Sequence, residues 1–216
     1  MTVRVLIVDD EELVRSGLRA ILDAREDIEV VGEAADGAVV VPLVARVRPD
    51  VVLMDIRMPL VDGIQATRDL RRRLTEPPRI LIVTTFGEDE NVYAALHAGA
   101  DGFLAKRARP TEIADAVRIV ARGESLLFPA AIRGLAARQG VGRSAPDRAV
   151  PDLTPRERDI LLLMARGQSN AEIADELYLG LQTVKTHVSS LLRKLMARDR
   201  TQAVIAAYES GLVPLS

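Results

Sequence analysis

The chain has 216 residues, 48% of them hydrophobic, and a net charge of −2, enough for one large or two small domains with cores of their own. It has no cysteine, which excludes a disulfide framework and a thiolate metal centre. No apolar run reaches the roughly 18 residues of a membrane helix and the N-terminus lacks a signal peptide's apolar core, so a soluble, cytoplasmic protein is expected.

Residues 3–122 alternate between two patterns. Short β-branched runs lie at Val3–Val8, Ile28–Val31, Val51–Met54, Ile80–Val83 and Gly102–Ala105, the composition of parallel strands buried on both faces. Between them apolar residues recur at helical spacing: Val14, Leu18, Ile21 and Leu22; Ile64, Thr67 and Leu70; Val92, Ala95 and Leu96; Ile113, Val117 and Val120. Five strands alternating with five helices predict a parallel, doubly wound α/β domain over 1–122. Pro42 falls in the second helix and should shorten or kink it unless it sits in the first turn. Residues 123–150, with Ser144-Ala145-Pro146-Asp147 and the glycines at 134, 140 and 142, read as a linker; its Pro129–Arg138 stretch is compatible with a helical extension.

From residue 151 the pattern is all-helical. Thr154-Pro155-Arg156-Glu157 and Ser169-Asn170-Ala171-Glu172 are capping boxes, the first with proline at the first helical position. Their helices should end near Arg166 and Leu177. A tight turn at Tyr178-Leu179-Gly180 precedes a helix carrying Val184, Val188, Leu191, Leu192 and Leu195 on one face, and a last helix spans about Thr201–Ser210. Charge is partitioned: residues 1–122 carry 21 acids and 17 bases, and residues 151–216 carry 8 of each. The first part repels nucleic acid; the second binds it only if its bases are sorted onto one face.

The stretch VLIVDDEE, residues 5–12, ends an apolar strand in four carboxylates. Ligands of open parallel sheets sit beyond the carboxyl ends of the strands. Asp9 and Asp10 end strand one and Asp55 ends strand three; if these strands are neighbours, three carboxylates converge and require compensation. Hard oxygen donors suit Mg²⁺ (or Mn²⁺). Thr84 ends strand four as a hydroxyl and Lys106 ends strand five as a cation. Together these groups suit phosphoryl transfer to a carboxylate, with Asp55 as nucleophile. Glu11 and Glu12 read as first-turn acids that favour the helix dipole.

The Asp9-Asp10 pair, Asp55 followed by Met58-Pro59 and Asp62-Gly63, Thr84, and Lys106 after Phe103 resemble the receiver domain of bacterial response regulators, a flavodoxin-like fold. The resemblance implies that Asp55 takes a phosphoryl group from a sensor histidine kinase. It implies a metal held by Asp10, Asp55 and the backbone carbonyl of Arg57, with Asp9 assisting through water. It implies that Thr84 and Phe103 move together on phosphorylation. Arg107 departs from the proline or aspartate that often follows the lysine.

Residues 153–208 resemble the LuxR-type helix-turn-helix, which together with the receiver is the NarL/FixJ-like arrangement. On that resemblance Asn170–Leu177 is the scaffold helix and Leu181–Leu195 the recognition helix. Lys185, Thr186 and Ser189 match positions that reach base edges, and Thr183, His187, Arg193 and Arg200 are candidates for backbone phosphate. Gly180 stands where a serine-like cap is usual, and Met196 where glycine is common. The implied function is a phosphorylation-switched transcriptional regulator that dimerises on inverted or tandem promoter half-sites, with the last helix as one pairing element. The resemblance implies a phosphoryl acceptor at Asp55 rather than a turnover enzyme. Two rivals are a phosphohydrolase, whose nucleophile is expected at the end of strand one in an Asp-x-Asp pattern, and a constitutive DNA-binding protein.

Overall fold

The computed structural model describes residues 2–84, 89–123 and 153–213, which fall into two compact units. Residues 124–152, with nearly all of the expected linker and its 129–138 stretch, lie outside the described residues.

In the first unit β1 (Val3–Val8), β2 (Ile28–Ala34), β3 (Val51–Asp55), β4 (Arg79–Thr84) and β5 (Gly102–Ala105) form one parallel sheet in the order β2-β1-β3-β4-β5. Its helices are α1 (Glu12–Asp23), α2 (Val40–Val47), α3 (Gly63–Arg73), α4 (Asp89–Ala98) and α5 (Pro110–Ala121). α1 packs on α5, while α3 packs on α2 and α4, so the sheet is covered on both faces. That is why the central strands are buried at every position from Val5 to Val8 and from Val51 to Asp55. One face of the core joins Val5, Ile7, Leu53, Leu81 and Val83 to Leu18 and Leu22 of α1 and Ile113, Val117 and Val120 of α5.

Two local features differ from, or refine, the sequence reading. β2 does not stop at Val31. The register with β1 jumps from Val5↔Val30 to Leu6↔Gly32, so a bulge absorbs one residue and the strand continues through the glycine to Ala34. Pro42 causes no kink, because a 3₁₀ turn at Gly37–Val39 delays the start of α2 until Val40 and leaves the proline in the first turn.

The second unit contains α6 (Pro155–Ala165), α7 (Asn170–Glu176), α8 (Leu181–Lys194) and α9 (Arg200–Glu209). Both capping boxes form: Thr154 and Ser169 accept from the Glu157 and Glu172 amides, and each glutamate reaches back to the cap amide. The core comprises Ile160, Leu161 and Met164 of α6, Ile173 of α7, Val184 and Leu191 of α8, and Ala203, Val204, Ile205, Ala207 and Tyr208 of α9. Ala203 and Ala207 of the last helix are packed inside this unit.

The turn after α8 keeps the shape glycine would give it. Met196 has φ 52°, its N–H donates to the Arg193 carbonyl, and the Ala197 N–H donates to the Leu192 carbonyl at 2.8 Å. This is a Schellman turn with methionine at the left-handed position. The left-handed conformation costs an L-residue about 1–2 kcal/mol, and the side chain, 94% exposed, gains nothing from packing. Met196→Gly is therefore expected to stabilise the second unit, by on the order of 0.5–1 kcal/mol once the freer unfolded glycine is counted. Thermal denaturation followed by circular dichroism checks it.

Candidate functional site

The order β2-β1-β3 places the ends of β1 and β3 side by side. Asp9 follows β1 and is 1% exposed; Asp55 is the last residue of β3 and 5% exposed. Carboxylate oxygens of Asp9, Asp10 and Asp55 lie within 4.8 Å of one another. Gly63 makes this tip compact, since a Cβ there would stand 1.9 Å from the Asp55 carbonyl oxygen. The Asp55 Oδ1 accepts from the Ile56 amide at 2.8 Å.

Lys106 follows β5, two strands away from β3. Its amide donates to the Thr84 carbonyl at 2.8 Å, and its side chain spans the end of β4. The Nζ lies 2.8 Å from Asp9 Oδ2, 3.1 Å from Asp55 Oδ2 and 3.3 Å from Glu11 Oε1. Burial works against the ammonium charge, but contact with Asp9 and the charge of Asp55 outweigh it and hold the lysine pKa above its ordinary value. Burial pushes the Asp55 carboxyl up; Lys106 pulls it down and Asp9 pushes it up again, for a net rise. One ammonium thus faces the carboxylates of Asp9, Asp55 and Glu11. Asp9 Oδ2 is buried without an aligned hydrogen bond. A set of convergent carboxylate oxygens from Asp9, Asp10 and Asp55 is a fit for a hard divalent cation.

Thr84 is buried at the end of β4, and Phe103, opposite Ile82 on β5, is half-buried. Arg57 is exposed in the β3–α3 loop; with Asp10, Met58, Pro59 and Asp62 it lines a depression of about 440 Å³. Glu11, read as a dipole-favouring acid, is the N-cap of α1 without a side-chain cap bond and also reaches Lys106; Asp9 Oδ1 accepts from the Glu11 amide at 3.0 Å.

In the second unit α8 presents Thr183, Lys185, Thr186, Ser189 and Arg193 to solvent, with His187 half-buried beside the apolar face. The Thr186 hydroxyl donates to the Gln182 carbonyl at 3.0 Å. Arg200 is half-buried and donates to the Gln168 carbonyl and to Asn170 Oδ1, bracing the start of α7. Gly180 caps α8 with extended backbone and no side-chain bond.

Residues 5–118 match the response regulator receiver domain, and residues 151–207 match the luxR family of bacterial regulatory proteins. The chain belongs to the response regulators. It is 44% identical to the transcriptional regulatory protein LiaR of Bacillus subtilis over 98% of this chain and 99% of that one. It is 43% identical to the response regulator protein VraR of Staphylococcus aureus over 99% of this chain and all of that one. The crystal structure of ChrA, a response regulator of a heme-sensing two-component system, shares 37% identity over 98% of this chain and 99% of that one, with a TM-score of 0.52. The chain is accordingly a two-component transcription regulator with a receiver and a LuxR-type DNA-binding domain. Among the described residues no helix is long and apolar enough to cross a membrane.

Three positioning groups were not evident in the regulator's sequence. Asp36, after β2, accepts from the Ala38, Leu60 and Val61 amides at 2.8, 2.8 and 3.1 Å, tying the loop that follows Asp55 to the start of α2. Arg15 of α1 donates to the carbonyls of Asp9 and Asp10. Glu157 serves its capping box but also accepts from Ser190 Oγ at 2.9 Å and Lys194 Nζ at 2.7 Å, both on α8. Burial opposes the Glu157 charge; the bonds from Lys194, the Thr154 amide, Ser190 and the Thr154 hydroxyl overcome it and draw its pKa down to about 2. The first signal available for Glu157 was the capping box alone.

Two stability effects test this electrostatic picture. A carboxyl with a raised folded-state pKa favours the fold while protonated, and that contribution is lost as pH rises above its ordinary 3.8. Asp55→Asn should therefore raise the receiver's melting temperature at pH 7 without divalent cations, and Lys106→Met should lower its stability by about 3 kcal/mol. Glu157 has the opposite sign: its contribution is present above its ordinary 4.5 and is lost as pH falls towards about 2. Acid titration followed by circular dichroism should show the DNA-binding domain weakening in that window, and Glu157→Gln should flatten the dependence while destabilising the domain at pH 7.

Proposed function

We propose that Asp55 is the phosphoacceptor of this regulator and that its phosphorylation by a sensor histidine kinase promotes dimerisation and promoter binding. The observation that carries the reading is the buried Asp55 carboxylate sharing one ammonium, Lys106, with Asp9 and Glu11. An Asp55 oxygen attacks the phosphorus of the kinase's phosphohistidine, the N–P bond breaks, and the imidazole leaves with the electron pair. The product is an aspartyl phosphate. Lys106, already within reach of Asp55, turns to the new phosphoryl oxygens and meets their charge. Asp10, Asp55 and the Arg57 carbonyl would hold Mg²⁺ or Mn²⁺, with Asp9 acting through water; a bound cation neutralises charge on the transferring group. Thr84, at the end of β4, and Phe103, within β5, carry the change outward. The cell compartment is the cytoplasm, where kinase and DNA are both met.

For DNA, Lys185, Thr186 and Ser189 on the exposed face of α8 suit base edges in the major groove, and Thr183, His187 and Arg193 suit backbone phosphate. Arg200 joins them only by giving up its bonds to Gln168 and Asn170. A single four-helix module makes few contacts, so two copies on inverted or tandem half-sites are required for useful affinity.

Acetyl phosphate with Mg²⁺ is expected to add one phosphoryl group to the wild-type chain, read by intact mass, and none to Asp55→Asn. Selection from a randomised duplex library should recover a defined motif more strongly with phosphorylated protein. An adduct retained in Asp55→Asn refutes the acceptor; equal recovery with and without phosphorylation refutes the switch.

A further inference from the structure

Arg15 is misplaced on charge alone. It sits in the first two turns of α1 (Glu12–Asp23), where a cation opposes the helix dipole, and it adds positive charge beside a cluster suited to a cation. Yet its side chain is only 16% exposed. Its Nη1 donates to the Asp9 carbonyl at 2.8 Å and to the Asp10 carbonyl at 3.1 Å. Those carbonyls lie beyond the last β1–β3 pair, Val8↔Met54. On the other side its Nε faces Glu33 Oε2 of β2 at 3.5 Å, and Glu33 is itself gripped by Arg19. The guanidinium is therefore fixed from the sheet and in turn fixes two consecutive peptide groups.

We propose that Arg15 is a positioning residue for the Asp9–Asp10 pair. By holding both carbonyls towards α1 it sets the backbone angles that aim the two carboxylates at Asp55, and Glu33 is its anchor. Arg15 touches neither the phosphoryl group nor the metal. The inference rests on the reading that Asp9, Asp10 and Asp55 hold a divalent cation.

Charge and positioning predict opposite signs, which makes the test sharp. Removing a nearby cation should tighten Mg²⁺ binding by reducing repulsion. Removing a brace from the ligand-bearing backbone should weaken it, by about tenfold for an outer-shell partner. Isothermal titration of Mg²⁺ into the full chain is the measurement, with wild type, Arg15→Gln, Arg15→Lys and Asp10→Asn. The wild type should take up one Mg²⁺, lost in Asp10→Asn. Arg15→Gln should raise the Mg²⁺ dissociation constant about tenfold. Arg15→Lys, which keeps the charge but not the fork, should also weaken binding, and it carries the test if circular dichroism shows Arg15→Gln unfolded. Unchanged or tighter binding in Arg15→Gln, or wild-type affinity in Arg15→Lys, overturns the positioning role. A wild type that takes up no Mg²⁺, or binding that survives in Asp10→Asn, overturns the metal reading itself and this inference with it.

Discussion

Everything at the functional end of the receiver follows from the meeting of carboxylates with one ammonium at the tips of β1, β3 and β5. Parallel strands all end on the same side, and the order β2-β1-β3-β4-β5 makes neighbours of β1 and β3. Asp9, Asp10 and Asp55 are thereby forced together although 45 residues separate the latter two. Lys106 must cross the end of β4 to reach them, and β4 ends there in Thr84, whose carbonyl holds the lysine backbone in place. The result is a buried charge cluster that a single lysine cannot balance.

A contrast within the same sheet shows that this imbalance is particular to the site. Asp101 is also buried, 2% exposed, but it lies at the opposite ends of β4 and β5. It accepts from Arg71 at 2.5 Å, Arg79 at 3.0 Å and the Ile80 amide at 2.7 Å. Two guanidiniums and an amide satisfy one carboxylate, and nothing further is called for. At the other end Asp9, Asp55 and Glu11 share one ammonium, with the Asp10 carboxylate alongside. A site whose charge is balanced only by an added ion or group is one whose stability responds to that ion or group.

How much of this was legible in the sequence depended on what kind of group each residue engages. Strand-tip acids, the capping boxes at Thr154 and Ser169, and the apolar stripe of α8 carry their meaning in residue type and spacing, so they could be read directly. Arg15, Asp36 and Arg200 act on backbone carbonyls and amides, which look the same in every residue, so no pattern announces them. Glu157 was read for the three-residue spacing of its cap; its bonds to Ser190 and Lys194 span 33 and 37 residues and depend on the packing of α6 on α8. Gly32 looked like a strand end because a bulge cannot be told from a breaker without the partner strand. Met196 raised a question about the turn after α8, and the answer is that the backbone takes the glycine shape with a side chain that strains it.

The bonds of Glu157 also bear on what phosphorylation can change. A buried carboxylate that joins the cap of α6 to two successive turns of α8 fixes the reading helix from within its own domain. Arg200 does the same for the start of α7. The face bearing Lys185, Thr186 and Ser189 is thus formed by interactions that do not pass through the receiver. On the proposed function, a receiver cannot usefully act by reshaping that face. The proposed switch then acts on how often the face meets DNA, as in the proposed pairing of two copies on adjacent half-sites. Pairing has the larger leverage, because tethering makes the second contact intramolecular and multiplies affinity without any new bond to a base.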